Sequence, residues 1–293
     1  MQNDPNHSED GKPTPDSLTI PLHSECHGES GPPIVLLHGF GANGFTWNRW
    51  APKLTGTHRL VVVEMKGAGS SPKPRGEDYG PEEQARLLHR LILQKGLEGI
   101  TLVGHSLGGG IALLTAFLLL AERPGLLKRL VLIAPASYRQ TIPPFIRLAA
   151  RPVLGALTLR LVPKGFLMHQ ALKMTYHDTK LITASQIQAY AGPLRTPSGR
   201  YALARMARQI IPDNMESYVN RYPQLEVPTL LIWGRQDRIV PLGLGERLVQ
   251  DLPDARLEVL DECGHIPHEE KPEESFTLLQ RFIQEGPASV PSA

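Results

Sequence analysis

The chain has 293 residues, 41% of them hydrophobic and 20% charged, with a net charge of +2. This suits one large globular α/β domain, or such a domain with an insertion, and gives no overall field to gather nucleic acid. The two cysteines, Cys26 and Cys263, stand far apart with no C-x-x-C or His/Cys cluster, so neither a zinc site nor a disulfide is required.

Residues 1–17 are polar and Pro-rich and lack an apolar core, which predicts a disordered tail rather than a secretory signal. A cytoplasmic protein is the expectation. Leu18–Leu22 can add an antiparallel edge. Ile34–Leu37 and Leu60–Val63 are short aliphatic runs that read as strands. Pro81–Lys95 carries Leu87, Leu88, Leu91 and Ile92 at helical spacing behind a leading proline. Ile100–Val103 is the next strand, and Leu107 onward is helical with no breaker before Pro124. Its apolar run, Ile111–Ala121, is too short to span a bilayer and reads as a buried core helix. Leu130–Ile133, Thr229–Trp233 and Leu257–Leu260 complete the strands, and Glu273–Ile283 is a closing helix. Strands alternating with helices predict a mostly parallel sheet flanked by helices.

From Arg139 to Tyr222 the rhythm stops: no strand is evident, and seven prolines cut the interval into short helical pieces. A helical cap over 139–222 is expected above the carboxyl edge of the sheet, where open α/β sheets bind ligands. The core is then 18–138 and 223–286, with a flexible tail over 287–293. The interval carries twelve Lys and Arg against Asp178, Asp213 and Glu216, a net +9 that leaves −7 for the rest of the chain. A solvated helical face accounts for such charge. The sharper reading is a basic lid that attracts an acidic substrate group or docks on an anionic interface, with Phe145, Leu148, Leu157 and Leu161 lining the acyl pocket. Met168, Met174, Met206 and Met215 could line an adaptable pocket or simply pack helices.

The chemistry centres on Gly104-His105-Ser106-Leu107-Gly108, a G-x-S-x-G turn between strand and helix. Flanking glycines let the two backbones close up while the serine holds unusual dihedrals with its Oγ outward. A serine hydroxyl is a weak nucleophile, so it needs a base, and the base needs a carboxylate to fix its tautomer. Asp237, in "LLIWGRQDRIVP", and His265, in "LEVLDECGHIPHEEKP", each follow a strand and stand in the order Ser, Asp, His. Singly, each is explained as a turn aspartate or a surface histidine. An oxyanion would need fixed donors, for which the amide of Leu107 and that of Phe40, in "IVLLHGFGANGFTW", are candidates.

These segments, with "VEMKGAGSSPKP" and "LVLIAPAS", resemble the α/β-hydrolase superfamily in its capped esterase, lipase and carbon-carbon hydrolase group, from about Gly31 to Ile283. The resemblance implies Ser106 as nucleophile, His265 as base, Asp237 as its orienting acid, Phe40 and Leu107 as oxyanion donors, and no cofactor or metal. It implies a carboxylesterase-type serine hydrolase that cleaves esters of small to medium apolar acyl or aryl substrates through an acyl-enzyme. A monomer or homodimer acting on a small molecule is expected, and the charge and the short apolar run predict neither nucleic acid nor stable membrane insertion. Hydrolysis of a carbon-carbon bond in a ring-fission dienoate is the alternative, and a non-catalytic ligand-binding homologue a third. Serine in place of aspartate at the elbow excludes the epoxide hydrolase and haloalkane dehalogenase branches. Glu64 stands where the family often has aspartate, a change read as structural. His268 is a rival base, and His105 reads as a packing residue.

Overall fold

The computed structural model describes residues 21–285. The tails expected over 1–17 and 287–293 lie outside them. Seven strands form one sheet: β1 (Ser24–His27), β2 (Pro33–Leu37), β3 (Arg59–Val63), β4 (Ile100–His105), β5 (Leu127–Ile133), β6 (Thr229–Gly234) and β7 (Ala255–Leu260). The order is β1-β3-β2-β4-β5-β6-β7, with β1 antiparallel to β3 and every other pair parallel. This is the α/β-hydrolase fold. The predicted strands are all present, within a few residues at their ends. The edge is the exception: it runs over Ser24–His27, and Pro21 and Leu22, the described part of the expected stretch, are in no strand. An outermost strand is short and polar because a long apolar edge would invite pairing with another chain, so aliphatic content misplaces it.

Alternating side chains divide the sheet into two cores. Val35, Leu37, Val61, Val63 and Leu102 face one side, where α1 (Pro81–Gln94) and α2 (Leu107–Glu122) cover them. Ile34, Leu36, Leu60, Val62, Val103 and Ile133 face the other, under Trp47, Trp50 and the closing helix with Phe276 and Leu279. Both faces are buried, as a parallel sheet demands, and each such aliphatic side chain contributes about 1.5–3 kcal/mol.

Between β5 and β6 the described chain forms helices and turns but no strand. The longer helices are α3 (Pro144–Ala150), α4 (Pro152–Leu161), α5 (Lys164–Thr175), α6 (Ala184–Ala191) and α7 (Pro197–Arg208). Prolines at the first turns of α3, α4 and α7 start new helices where a longer one would otherwise continue. Ile146, Ala149, Leu159, Leu194, Ala204 and Ala207 give this insertion a small core of its own.

Candidate active site

The strand order reverses between β2 and β4, so their adjacent carboxyl ends open a crevice. Leu37 pairs with Gly104, which brings the loop with Phe40 beside the turn with Ser106. Ser106 has φ 53° and ψ −120°, a strained conformation that aims its Oγ away from the sheet. The glycines are required by space. A Cβ at Gly104 would lie 2.4 Å from the Gly108 carbonyl oxygen, and one at Gly108 2.2 Å from that of His38.

The loops after β6 and β7 bring Asp237 and His265 to the same rim. His265 Nε2 is 2.8 Å from Ser106 Oγ, and His265 Nδ1 is 2.8 Å from Asp237 Oδ2. The other carboxylate oxygen of Asp237 accepts the amides of Ile239 and Val240, at 2.7 and 2.9 Å. Both carboxylate oxygens are therefore fixed, and Nδ1 of the imidazole carries the proton, leaving Nε2 to accept from the serine.

His268 is not in this line. Its Nε2 donates to Thr46 Oγ1 at 2.8 Å, it stacks on Trp47, and burial pushes its pKa down to about 3. His105 does more than pack: its Nε2 donates to the carbonyl of His265 at 3.0 Å, and burial holds it well below the ordinary histidine range. His38, buried and likewise lowered by desolvation, donates from Nδ1 to the Gly39 carbonyl at 2.8 Å and accepts the Met65 amide at Nε2. A trans peptide sends its N–H opposite to its C=O, so anchoring the Gly39 carbonyl turns the Phe40 N–H the other way. Among the described residues neither the Phe40 nor the Leu107 amide donates to another protein group.

Two carboxylates near His265 escape a sequence reading. Glu270 accepts the amide of Gly264 on one oxygen and that of Asp178 on the other, both at 2.7 Å. Glu269 is buried with no cation beside it; desolvation raises its pKa, while Thr46, Tyr190, Gln186 and Tyr176 all donate to it. Glu64 bridges the Gly44 and Ser70 amides, in keeping with a structural role.

Ser106 stands where two cavities meet. The larger, about 150 Å³, is lined by Phe40, Phe145, Leu148, Leu159, Met168 and Leu172 among others, with Glu269 and Thr46 as polar points. The smaller, about 50 Å³, is lined by Leu107, Ile142, Ile211 and Met215 among others. Neither lining contains Lys or Arg. Phe145, Leu148, Met168 and Met215 line these cavities. Leu157 and Leu161, expected there, instead face solvent because they lie on the outer side of their helix, while Met206 is core and Met174 packs against the cluster that contains Trp233. No group of His, Cys, Asp and Glu among the described residues could hold a metal ion.

Residues 32–272 match the family model described as the alpha/beta hydrolase fold. The chain is 30% identical over 252 residues to the "Uncharacterized hydrolase YugF" of Bacillus subtilis, covering 86% of this chain and 89% of that protein. Lipase 3 of Moraxella sp. is 28% identical, covering 84% and 75% of the two chains. The 2-hydroxy-6-oxo-6-phenylhexa-2,4-dienoate hydrolase of Comamonas testosteroni is 26% identical, covering 90% and 91%.

Proposed function

Because the chain belongs to the α/β-hydrolase fold family, we propose that it is a serine hydrolase of neutral carboxylic esters that works through an acyl-enzyme. One observation carries the reading: the relay from Asp237 through His265 to Ser106 opens into apolar cavities whose lining has no cation. Residues 139–222 serve as the cap that walls these cavities.

In this mechanism Ser106 Oγ attacks the ester carbonyl while its proton passes to His265 Nε2. Asp237 stabilises the imidazolium and keeps its proton on Nδ1. The Phe40 and Leu107 amides meet the oxyanion, and because they are fixed before reaction they cost no reorganisation. The tetrahedral intermediate collapses to the acyl-enzyme as His265 gives its proton to the departing alcohol. Water then adds to the acyl carbonyl while giving a proton to the same base, and the C–Oγ bond breaks as His265 returns that proton to Ser106 Oγ and the acid leaves. The unequal cavities favour an ester with one long apolar branch and one short one.

Carbon-carbon hydrolysis uses the same relay, and the Comamonas relative is named for a dienoate, an anionic substrate. Such a substrate needs a cation for its carboxylate. Here the larger cavity offers the buried carboxyl of Glu269 instead, which favours the ester. The test is turnover of neutral esters of graded chain length beside a dienoic acid. Faster kcat/KM on a neutral ester is expected; preference for the dienoic acid would overturn the reading.

A further inference from the structure

We propose that the outer face of α4, with the cations around it, docks this protein reversibly on an anionic lipid surface. At 100° per residue, Val153, Leu154, Leu157 and Leu161 fall on one side of α4, opposite buried Gly155 and Leu159. Val153 is 78% exposed, Leu161 69% and Leu157 52%. A helix that is apolar all round is ordinarily buried all round, and this one is not. Nor are these side chains part of a general scatter: among the described residues, six of the seven exposed large apolar side chains fall between Val153 and Leu181, Phe166 among them.

The surrounding charge has one sign. Residues 139–177 contain six Lys and Arg and no Asp or Glu. Arg147, Arg151 and Arg160 are exposed, and among the described residues no Lys or Arg between 139 and 222 is in an ion pair. The cations are therefore available to a partner of opposite charge.

That pattern selects the occupant. A second copy meeting this face symmetrically would set cation against cation. A bilayer surface with anionic headgroups supplies what both parts of the face lack: apolar depth for Val153, Leu157 and Leu161, and negative charge for the arginines. The contact is peripheral, since no described helix is long and apolar enough to cross a membrane. It also bears on the site. Gly155, Thr158 and Leu159, on the inward face of α4, line the larger cavity, so one helix, about 10 Å across, separates it from the docked surface.

The test is flotation of the whole chain with vesicles of phosphatidylcholine alone or of equimolar phosphatidylcholine and phosphatidylglycerol. Co-flotation with the mixed vesicles at low salt is expected, weakening as salt rises, with little on the neutral ones. Replacing Val153, Leu157 and Leu161 together with Gln, which keeps helix propensity and touches no cavity lining, should lower partitioning roughly tenfold or more. Turnover of a short soluble ester should stay as in the parent, showing that the variant is folded. Arg147→Gln, Arg151→Gln and Arg160→Gln together should remove the salt-dependent part. Ser106→Ala should float like the parent, so failure of the esterase reading would leave this result standing. No flotation on mixed vesicles at low salt, or a triple-Gln variant that floats like the parent, would overturn the proposal. So would a parent dimer that this variant splits, since the face would then belong to a second copy.

Discussion

The backbone amide of His265 donates to the carbonyl of Thr175 at 2.7 Å, tying the proposed base to the last residue of α5 in the insertion. Glu270 adds a second tie, since it holds the amide beside His265 and the amide of Asp178 at once. The position of the base thus depends on the insertion as well as on the sheet.

Glu270→Gln turns an amide donor toward one of those two N–H groups and releases it. Displacement of about 1 Å at a reacting group can cost on the order of 10²-fold. We expect kcat to fall by roughly that much while KM moves little, because Glu270 is not on the cavity wall. Steady-state kinetics decide it, and an effect confined to KM would contradict a positioning role.

Ser106→Ala and His265→Ala should each abolish ester turnover, and Ser106→Ala should also abolish covalent labelling by an organophosphonate. His268→Ala should keep far more activity than His265→Ala. Asp237→Asn should lose on the order of 10⁴ in kcat, because an asparagine beside Nδ1 favours the imidazole tautomer that cannot accept the serine proton. Equal activities for His265→Ala and His268→Ala would remove the assignment of the base.

Burial lowers the pKa of His268 to about 3, against roughly 6.5 for a histidine in the unfolded chain. The unfolded state therefore takes up this proton first as pH falls. Its contribution to stability is complete above about 6.5 and is lost progressively as pH falls toward 3, at about 1.4 kcal/mol per pH unit. His105 and His38 are shifted in the same direction by desolvation. Tm should decline on acidification, and His268→Gln should lower Tm at neutral pH yet flatten the acid slope. An unchanged slope would mean that His268 does not titrate on unfolding.

His38→Ala should free the Gly39 carbonyl and with it the direction of the Phe40 amide. Loss of one oxyanion donor outright costs about 10²–10³ in kcat, so misdirection should cost no more than that. The loss should fall on kcat, and a variant with parental kcat would show that the loop is held by other means.

Glu269→Gln removes a buried negative charge from the cavity wall. It should raise kcat/KM for an ester ending in a carboxylate relative to a neutral ester of equal length. No change in that ratio would mean the charge does not reach the substrate.

The sheet was legible because its inner strands are aliphatic runs of four or five residues, and Ser106 because only glycine fits at Gly104 and Gly108. Asp237 and His265 followed from their places just past strands. Glu269 and Glu270 were not legible. They stand in "HEEKPEE", a charge run like many solvated ones, and their burial is set by Thr46, Tyr190 and Asp178, at least 79 positions away. The hydrogen bonds of His38 and His105 were hidden for a related reason: a buried histidine looks like any other until its neighbours are known. Charge counting found the cations of the insertion but could not tell whether they faced the cavity or solvent.

The tie between His265 and Thr175 limits how freely the insertion could be exchanged, in a chimera or over evolutionary descent. A segment grafted between β5 and β6 with its own helices can rebuild a cavity wall, yet it also has to present one carbonyl to His265 and one amide to Glu270. A graft lacking them would fold over an intact sheet and still leave the imidazole loose, so its substrate range and its turnover would not be inherited independently.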